Sequence, residues 1–240
     1  MKLIKFCILI TFILINSENL FSQFSPIHKN IGIGYNLGTH INTHGLDFVI
    51  GRFNETRSYL GKKMKEPGIF RGINSAVEIF DTNCIFNLEW IARKSVLYAQ
   101  SPDAIGANTR IDLKYAVNSL NLGYGYKIMP KKQGIKGLYS GIDLSAIFIN
   151  TATRTYSTSG KASKYTKIKT HFQIGFSPFF QFVTDKLTAK IYYQIMIFKA
   201  DYKHENEKLN PDTWMADDKE KSKGTTSSLG ISVRYNLFKK

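Results

Sequence analysis

The tightest constraint in this chain is a two-residue rhythm of polarity that recurs in eight stretches between residues 30 and 238. Within each stretch alternate residues are apolar, and those between are small, polar or charged. Successive side chains on a strand point to opposite faces, so each stretch reads as a strand with one greasy and one polar side. The strands are long and the polar side carries many charges. That combination suits a closed barrel in lipid, whose side chains meet hydrocarbon and lumen in turn. The expected fold is all-β: an eight-stranded antiparallel transmembrane β-barrel with a short helix in its first long connection.

The candidate strands are 30–39, 69–80, 84–98, 110–127, 138–150, 165–182, 187–201 and 225–238. In the third, Phe86, Leu88, Trp90, Ala92 and Val96 oppose Asn87, Glu89, Arg93 and Ser95. In the fourth the apolar set changes parity, from Ile111, Leu113, Tyr115 and Val117 to Leu120, Leu122, Tyr124 and Tyr126. A bulge near Asn118 and Ser119 is expected there. Connections after strands two, four and six are short, and those after one, three, five and seven are long. Such alternation is expected when one barrel end faces the periplasm and the other the exterior. Inside the first long connection, Leu46, Val49, Ile50 and Phe53 follow helical spacing. A helix over 43–60, capped by Asn42 or Thr43, is expected to cover or plug one end.

Residues 1–23 read as a signal peptide: Lys2 and Lys5 precede the apolar run 6–15, and a polar tract ends near Ser22. The run is too short for a membrane helix, which needs roughly 20 residues. The barrel is expected to occupy 24–240. The mean hydropathy of −0.20 looks soluble, but a barrel shows lipid only every second residue. Cys84 is the only cysteine outside the signal, so no intramolecular disulfide is expected. The net charge of +15 would suggest nucleic acid in a cytosolic chain. With export and alternation, outer-membrane lipid and lipopolysaccharide phosphates are the better partners.

The inward charges Glu78, Glu89, Arg93, Asp143, Lys167, Lys169, His171, Lys190 and Arg234 are expected to line the lumen. An eight-stranded barrel is only wide enough for side chains to fill, so these charges must pair with one another. The loop 151–164 carries Arg154, Lys161 and Lys164 without an acid, a candidate lipopolysaccharide contact. Loop 202–224 mixes Glu205, Glu207, Asp212, Asp217, Asp218 and Glu220 with lysines around Trp214, and reads either as a solvated mobile loop or as a contact loop. His40, His44 and Asp47 have a spacing that could place two metal ligands on one helix face, but no third ligand is evident. Ordinary surface histidines are the expectation. His171 could serve a barrel hydrolase if it met Glu89 or Asp143, yet no nucleophile stands at a motif-like spacing from it. No catalytic residue, cofactor or metal is expected.

Ser228, Gly230, Val233 and Tyr235 form a polar-x-Gly-x-x-apolar-x-apolar pattern in the last strand. It resembles the β-signal by which outer-membrane barrels are recognised by the barrel-assembly machinery. The chain from 24 to 240 resembles small outer-membrane β-barrel proteins of the Bacteroidota type, with an OmpA/OmpX-like architecture. Its segment 45–57 resembles a "YN-x-TR" helix of that group, with Phe53 in place of the tyrosine. The resemblance implies location and fold and no established activity. The expected role is structural or surface-interacting, in the outer membrane, with a small channel or transporter as the alternative and a barrel lipid hydrolase behind it.

Overall fold

The computed structural model describes residues 28–81, 83–101, 109–128, 136–156, 160–211 and 218–239. The signal segment 1–23, the Pro-Lys-Lys-Gln-Gly turn at 130–134, and Asp212, Trp214 and Asp217 lie outside the described residues. The strands are β1 (His28–Thr43), β2 (Ile69–Phe80), β3 (Cys84–Gln100), β4 (Arg110–Lys127), β5 (Gly137–Thr155), β6 (Thr166–Val183), β7 (Leu187–Met196), β8 (Ala200–Asp201), β9 (Lys223–Gly224) and β10 (Thr226–Lys239). Eight of them close a barrel in the order β1-β10-β7-β6-β5-β4-β3-β2, with every neighbouring pair antiparallel. The seventh expected strand ends earlier, at Met196, and β8 pairs with β9 outside the barrel.

The outer wall is apolar and exposed. Ile33, Tyr35, Ile73, Phe86, Leu122, Leu144, Phe172, Phe180, Ile191, Ile231 and Val233 all present large side chains outward. A belt of this kind would be a severe liability in water and is the ordinary exterior of a barrel in lipid. Tyr124, Tyr126, Phe182 and Tyr235 ring its short-turn end, where barrels carry aromatic girdles.

The bulge expected near Asn118 is absent. Pairing of β4 with both neighbours runs without a shift through Asn118 and Ser119. Leu113, Tyr115 and Val117 are buried on the same inward face as Ser119 and Asn121. What changes is the surroundings. Toward the long connections β4 is apolar inside, with Lys114, Ala116 and Asn118 outside; toward the short turns it is polar inside and greasy outside. The strand crosses from water to lipid, and its polarity inverts while its geometry does not.

The apolar inner face at the long-loop end receives helix α1 (Leu46–Glu55). Leu46, Val49, Ile50 and Phe53 are fully buried against Phe70, Leu97, Leu113, Tyr115, Val117, Ile147 and Ile149. The helix is shorter than the expected 43–60: β1 continues to Thr43 and delays its start, and the helix ends at Glu55 with Thr56 as its C-cap. It has no side-chain cap; Gly45 makes the turn with φ +92°, a left-handed conformation that suits glycine. A Cβ at Gly45 would also come within 2.7 Å of the Ser222 carbonyl oxygen. Helices α2 (Lys203–Leu209) and α3 (Asp218–Lys221) lie in the last long connection. Truncating the central anchor, Phe53→Ala, is expected to cost about 3–5 kcal/mol. Urea unfolding of the micelle-held barrel should register that loss, with a smaller one for the partly buried Phe48→Ala.

Candidate functional site

The interior is stratified, and alternation explains why. Hydrocarbon claims one residue set of each strand, so the intervening set must fill a lumen without bulk water. Phe80, Ile85, Tyr139 and Val183 pack together and close the short-turn end. Above them lies a chain of buried charges: Glu78, Arg234, Glu89, Lys190 and Asp143, contributed by β2, β10, β3, β7 and β5. Arg234 pairs with Glu78 through Nη2 and with Glu89 Oε1 through Nη1. Lys190 Nζ lies 2.8 Å from Glu89 Oε2 and 2.6 Å from Asp143 Oδ2, and 4.4 Å from the centroid of the Phe179 ring. Amides complete the shell: Asn74 donates to Glu89 at 2.9 Å, Asn30 to Glu78 Oε2 at 2.8 Å, and Gln181 to Glu78 Oε1 at 2.8 Å. Every acid in this layer is shared or capped, as desolvation demands.

Arg93 stands one level higher and is bound by neutral acceptors. It donates to the Tyr192 hydroxyl at 3.1 Å, Gln194 Oε1 at 2.8 Å and Ser228 Oγ at 2.9 Å. Its guanidinium crosses Gly38, where a Cβ would come within 2.3 Å of Nη1. Gly32 and Gly38 of β1 thus make room for the side chains of Arg234 and Arg93. His171 meets neither Glu89 nor Asp143. Its Nε2 lies 2.8 Å from Glu205 Oε1, which also accepts from the Thr151 hydroxyl. Glu205 comes from α2, so the described segment 202–210 of the last long connection folds down into the barrel mouth and is no bare solvated loop. The Tyr115 and Tyr202 hydroxyls are 3.1 Å apart beside it. Burial, with Tyr115 and Glu205 adjacent, holds the Tyr202 hydroxyl well above its usual pKa.

Three sequence expectations require correction. Lys167 is not in the lumen. Thr151 pairs with Lys169 and Ala152 with Lys167, so Ile168 is an extra residue that reverses parity and turns Lys167 to the outer wall. His40 is not a surface histidine, and it shares no helix face with His44. It belongs to β1 and packs its ring on Phe70 and Tyr115, at centroid distances of 4.5 and 5.5 Å. His44 lies 3.9 Å from Asp47 at the exposed entry to α1. Among the described residues no group of three or more His, Cys, Asp or Glu could hold a metal ion. Arg154, finally, is not part of an acid-free patch. It joins Arg110 on buried Asp112, at 2.8 and 2.6 Å, with the Tyr156 and Tyr165 rings nearby. Lys161 and Lys164 are exposed.

On β10 Ser228 and Gly230 face the lumen, while Val233 and Tyr235 face outward. Sequence reasoning missed Asn210, the inward pairing of Glu205 with His171 and the structural use of segment 53–57. Asn54 exchanges two hydrogen bonds with the Met64 backbone, at 2.8 and 2.9 Å. Arg57 stacks 4.3 Å over Phe53 and donates to the Leu209 carbonyl at 2.9 Å and to Asn210 Oδ1 at 3.4 Å. The conspicuous residues of α1 and its exit therefore bolt the two long connections into one cap. Removing the shared acid, Glu89→Ala, leaves Lys190 and Arg234 short of a partner in a buried layer. A loss of about 3–5 kcal/mol is expected, measured as a lower urea midpoint for the folded band on a heat-modifiability gel.

No family model and no curated protein matches the chain. Among solved structures, it is similar to the attachment invasion locus protein Ail of Yersinia pestis in complex with the heparin analogue sucrose octasulfate, at TM-score 0.46 and 11% identity over 89% of this chain and 100% of that one. It is also similar to neisserial surface protein A, at TM-score 0.33 and 9% identity over 89% and 98% of the two chains. Acinetobacter baumannii CarO2 follows at TM-score 0.35 and 8% identity, over 87% of this chain and 99% of that one. At such low identities and TM-scores the likeness conveys no function.

Proposed function

We propose that this protein is an integral outer-membrane barrel, closed to solutes and without catalysis, whose work is done by its exterior surface. The observation that carries the reading is the filled lumen. An apolar plug at the short-turn end, a charge layer with every acid bonded, and an apolar layer around α1 follow one another along the axis. A channel needs a continuous polar path, and three successive packed layers argue against one. The hydrolase reading needs a nucleophile within reach of His171, and the buried neighbours of that ring are the Glu205 carboxylate and the Tyr202 ring, 5.0 Å away between centroids.

Several further assignments belong to this proposal. Residues 1–23 serve as the export signal, and 24–240 form the barrel unit. Ser228, Gly230, Val233 and Tyr235 serve as the assembly signal, supported by their place on the closing strand. The capped exterior is rigid: α1 and α2 are joined through Arg57, and α2 is anchored to the wall through His171 and Glu205. Rigid loops on a rigid frame suit recognition better than transport does. Purified full-length protein in planar bilayers should give no discrete conductance steps in several salts, and the protein should fractionate with the outer membrane as a heat-modifiable band. Stable single-channel steps, or recovery of the folded protein from the soluble periplasmic fraction, would overturn the reading.

A further inference from the structure

Where the outer wall changes from apolar to polar, it is also not smooth. On the flank formed by β2–β6, toward the long connections, lies a groove of about 530 Å3. Four outward-facing cations line it: Arg71 from β2, Lys94 from β3, Lys114 from β4 and Lys167 from β6; Arg93 also borders it but sends its guanidinium into the lumen. Its floor is made of small residues, Ala92, Ala116 and Ala152. No carboxylate lines it, and the described residues form no ion pair with any of the four.

The arrangement is electrostatically unfavourable on its own. Arg71 and Lys94 stand directly opposite each other on adjacent strands. Lys114 and Lys167 stand on either side of Ala152, each paired with it. Like charges opposed across a ladder are destabilising unless something neutralises them. Its height on the wall narrows the choice of occupant. Ten residues of β3 separate Cys84, in the girdle at the short-turn end, from Lys94. At about 3.3 Å per residue and a tilt of about 40°, that is a rise of about 25 Å, the height of a barrel's apolar band. The groove therefore lies where hydrocarbon gives way to headgroups. Just below it the wall turns apolar again, with exposed Ile73 and the Phe148–Phe172 ring pair at 5.3 Å.

We propose that this groove holds the phosphorylated headgroup of an outer-leaflet glycolipid of the lipid A type, with its acyl chains lying on the apolar wall beneath. The alanine floor gives a bulky sugar–phosphate head room to approach the strands. The four cations supply charge for two phosphates, and the ring pair supplies a surface for the chains. An anion without chains satisfies only half of this surface. The site differs from the exposed loop lysines Lys161 and Lys164, and it rests on the outer-membrane reading above.

The test uses the full barrel in neutral detergent, with lipid retention read by native mass spectrometry and titrated with bis-phosphorylated lipid A. Wild-type protein should retain the lipid. The combined variant R71Q/K94Q/K114Q/K167Q should bind it at least about ten-fold more weakly, since each basic residue near a membrane surface contributes measurably to holding anionic lipid. K161Q/K164Q should bind as wild type does. Wild-type protein should also lose about ten-fold toward the same lipid stripped of its phosphates, an arm that needs no variant and so does not depend on refolding. Equal retention by the combined variant, equal retention of the phosphate-free lipid, a loss that follows K161Q/K164Q, or displacement by millimolar inorganic phosphate would each overturn the proposal. All of those can occur in a barrel that fractionates with the outer membrane, so the groove can fail while the location stands.

Discussion

Hydrocarbon outside a narrow closed barrel leaves the inward residues with little water and little room, and the rest of this structure follows from that restriction. Strict alternation means that every greasy outward position is bought with an inward neighbour of another kind. In the membrane-level part of the barrel that neighbour is often charged. Glu78, Glu89 and Asp143 cannot reach water, so Lys190 and Arg234 come to them from non-adjacent strands, Lys190 meeting Glu89 across the full width of the barrel. A buried pair in such a place is weak evidence of net stability, but a broken one is costly. The network fixes which strands must face one another across the lumen more than it adds to the depth of the energy well.

From the headgroup level outward the same alternation runs the other way. Lys94, Lys114 and Asn118 face outward while Leu97, Leu113, Tyr115 and Val117 pack inward around α1. The barrel is in effect two barrels on one set of strands, a lipid-facing one below and a water-facing one above. The inversion around Asn118 and Ser119 marks where one becomes the other.

This explains what was legible in the sequence. Strand positions were, because a period of two survives inversion; the observed bounds of β2 and β4 coincide with those expected. The direction of each face was harder. In β4 a change of surroundings imitated a change of register, and both produce the same shift of apolar parity. In β6 the reverse occurred. A true extra residue, Ile168, left little trace because Lys167 and Lys169 look alike to either reading. Helix α1 was legible from the spacing of its four anchors, though not its start, since Gly45 rather than a side-chain cap sets it. The pairing of His171 with Glu205 was not legible. Thirty-four residues separate them, and an acid in a charge-rich loop gives no sign that it will be drawn into a barrel mouth.

The first and last strands close this barrel by pairing with each other, from Asn30 against Lys239 to Thr43 against Thr226. Until β10 arrives, Arg234 is missing: Glu78 lacks its counter-ion and Glu89 has only Lys190. A half-formed sheet would then expose unbonded edges together with a stranded carboxylate, neither of which lipid tolerates. Insertion and closure are therefore coupled: the wall completes its ladder and neutralises its interior in one event. Partly zipped species are penalised twice, which favours a cooperative closing of the wall.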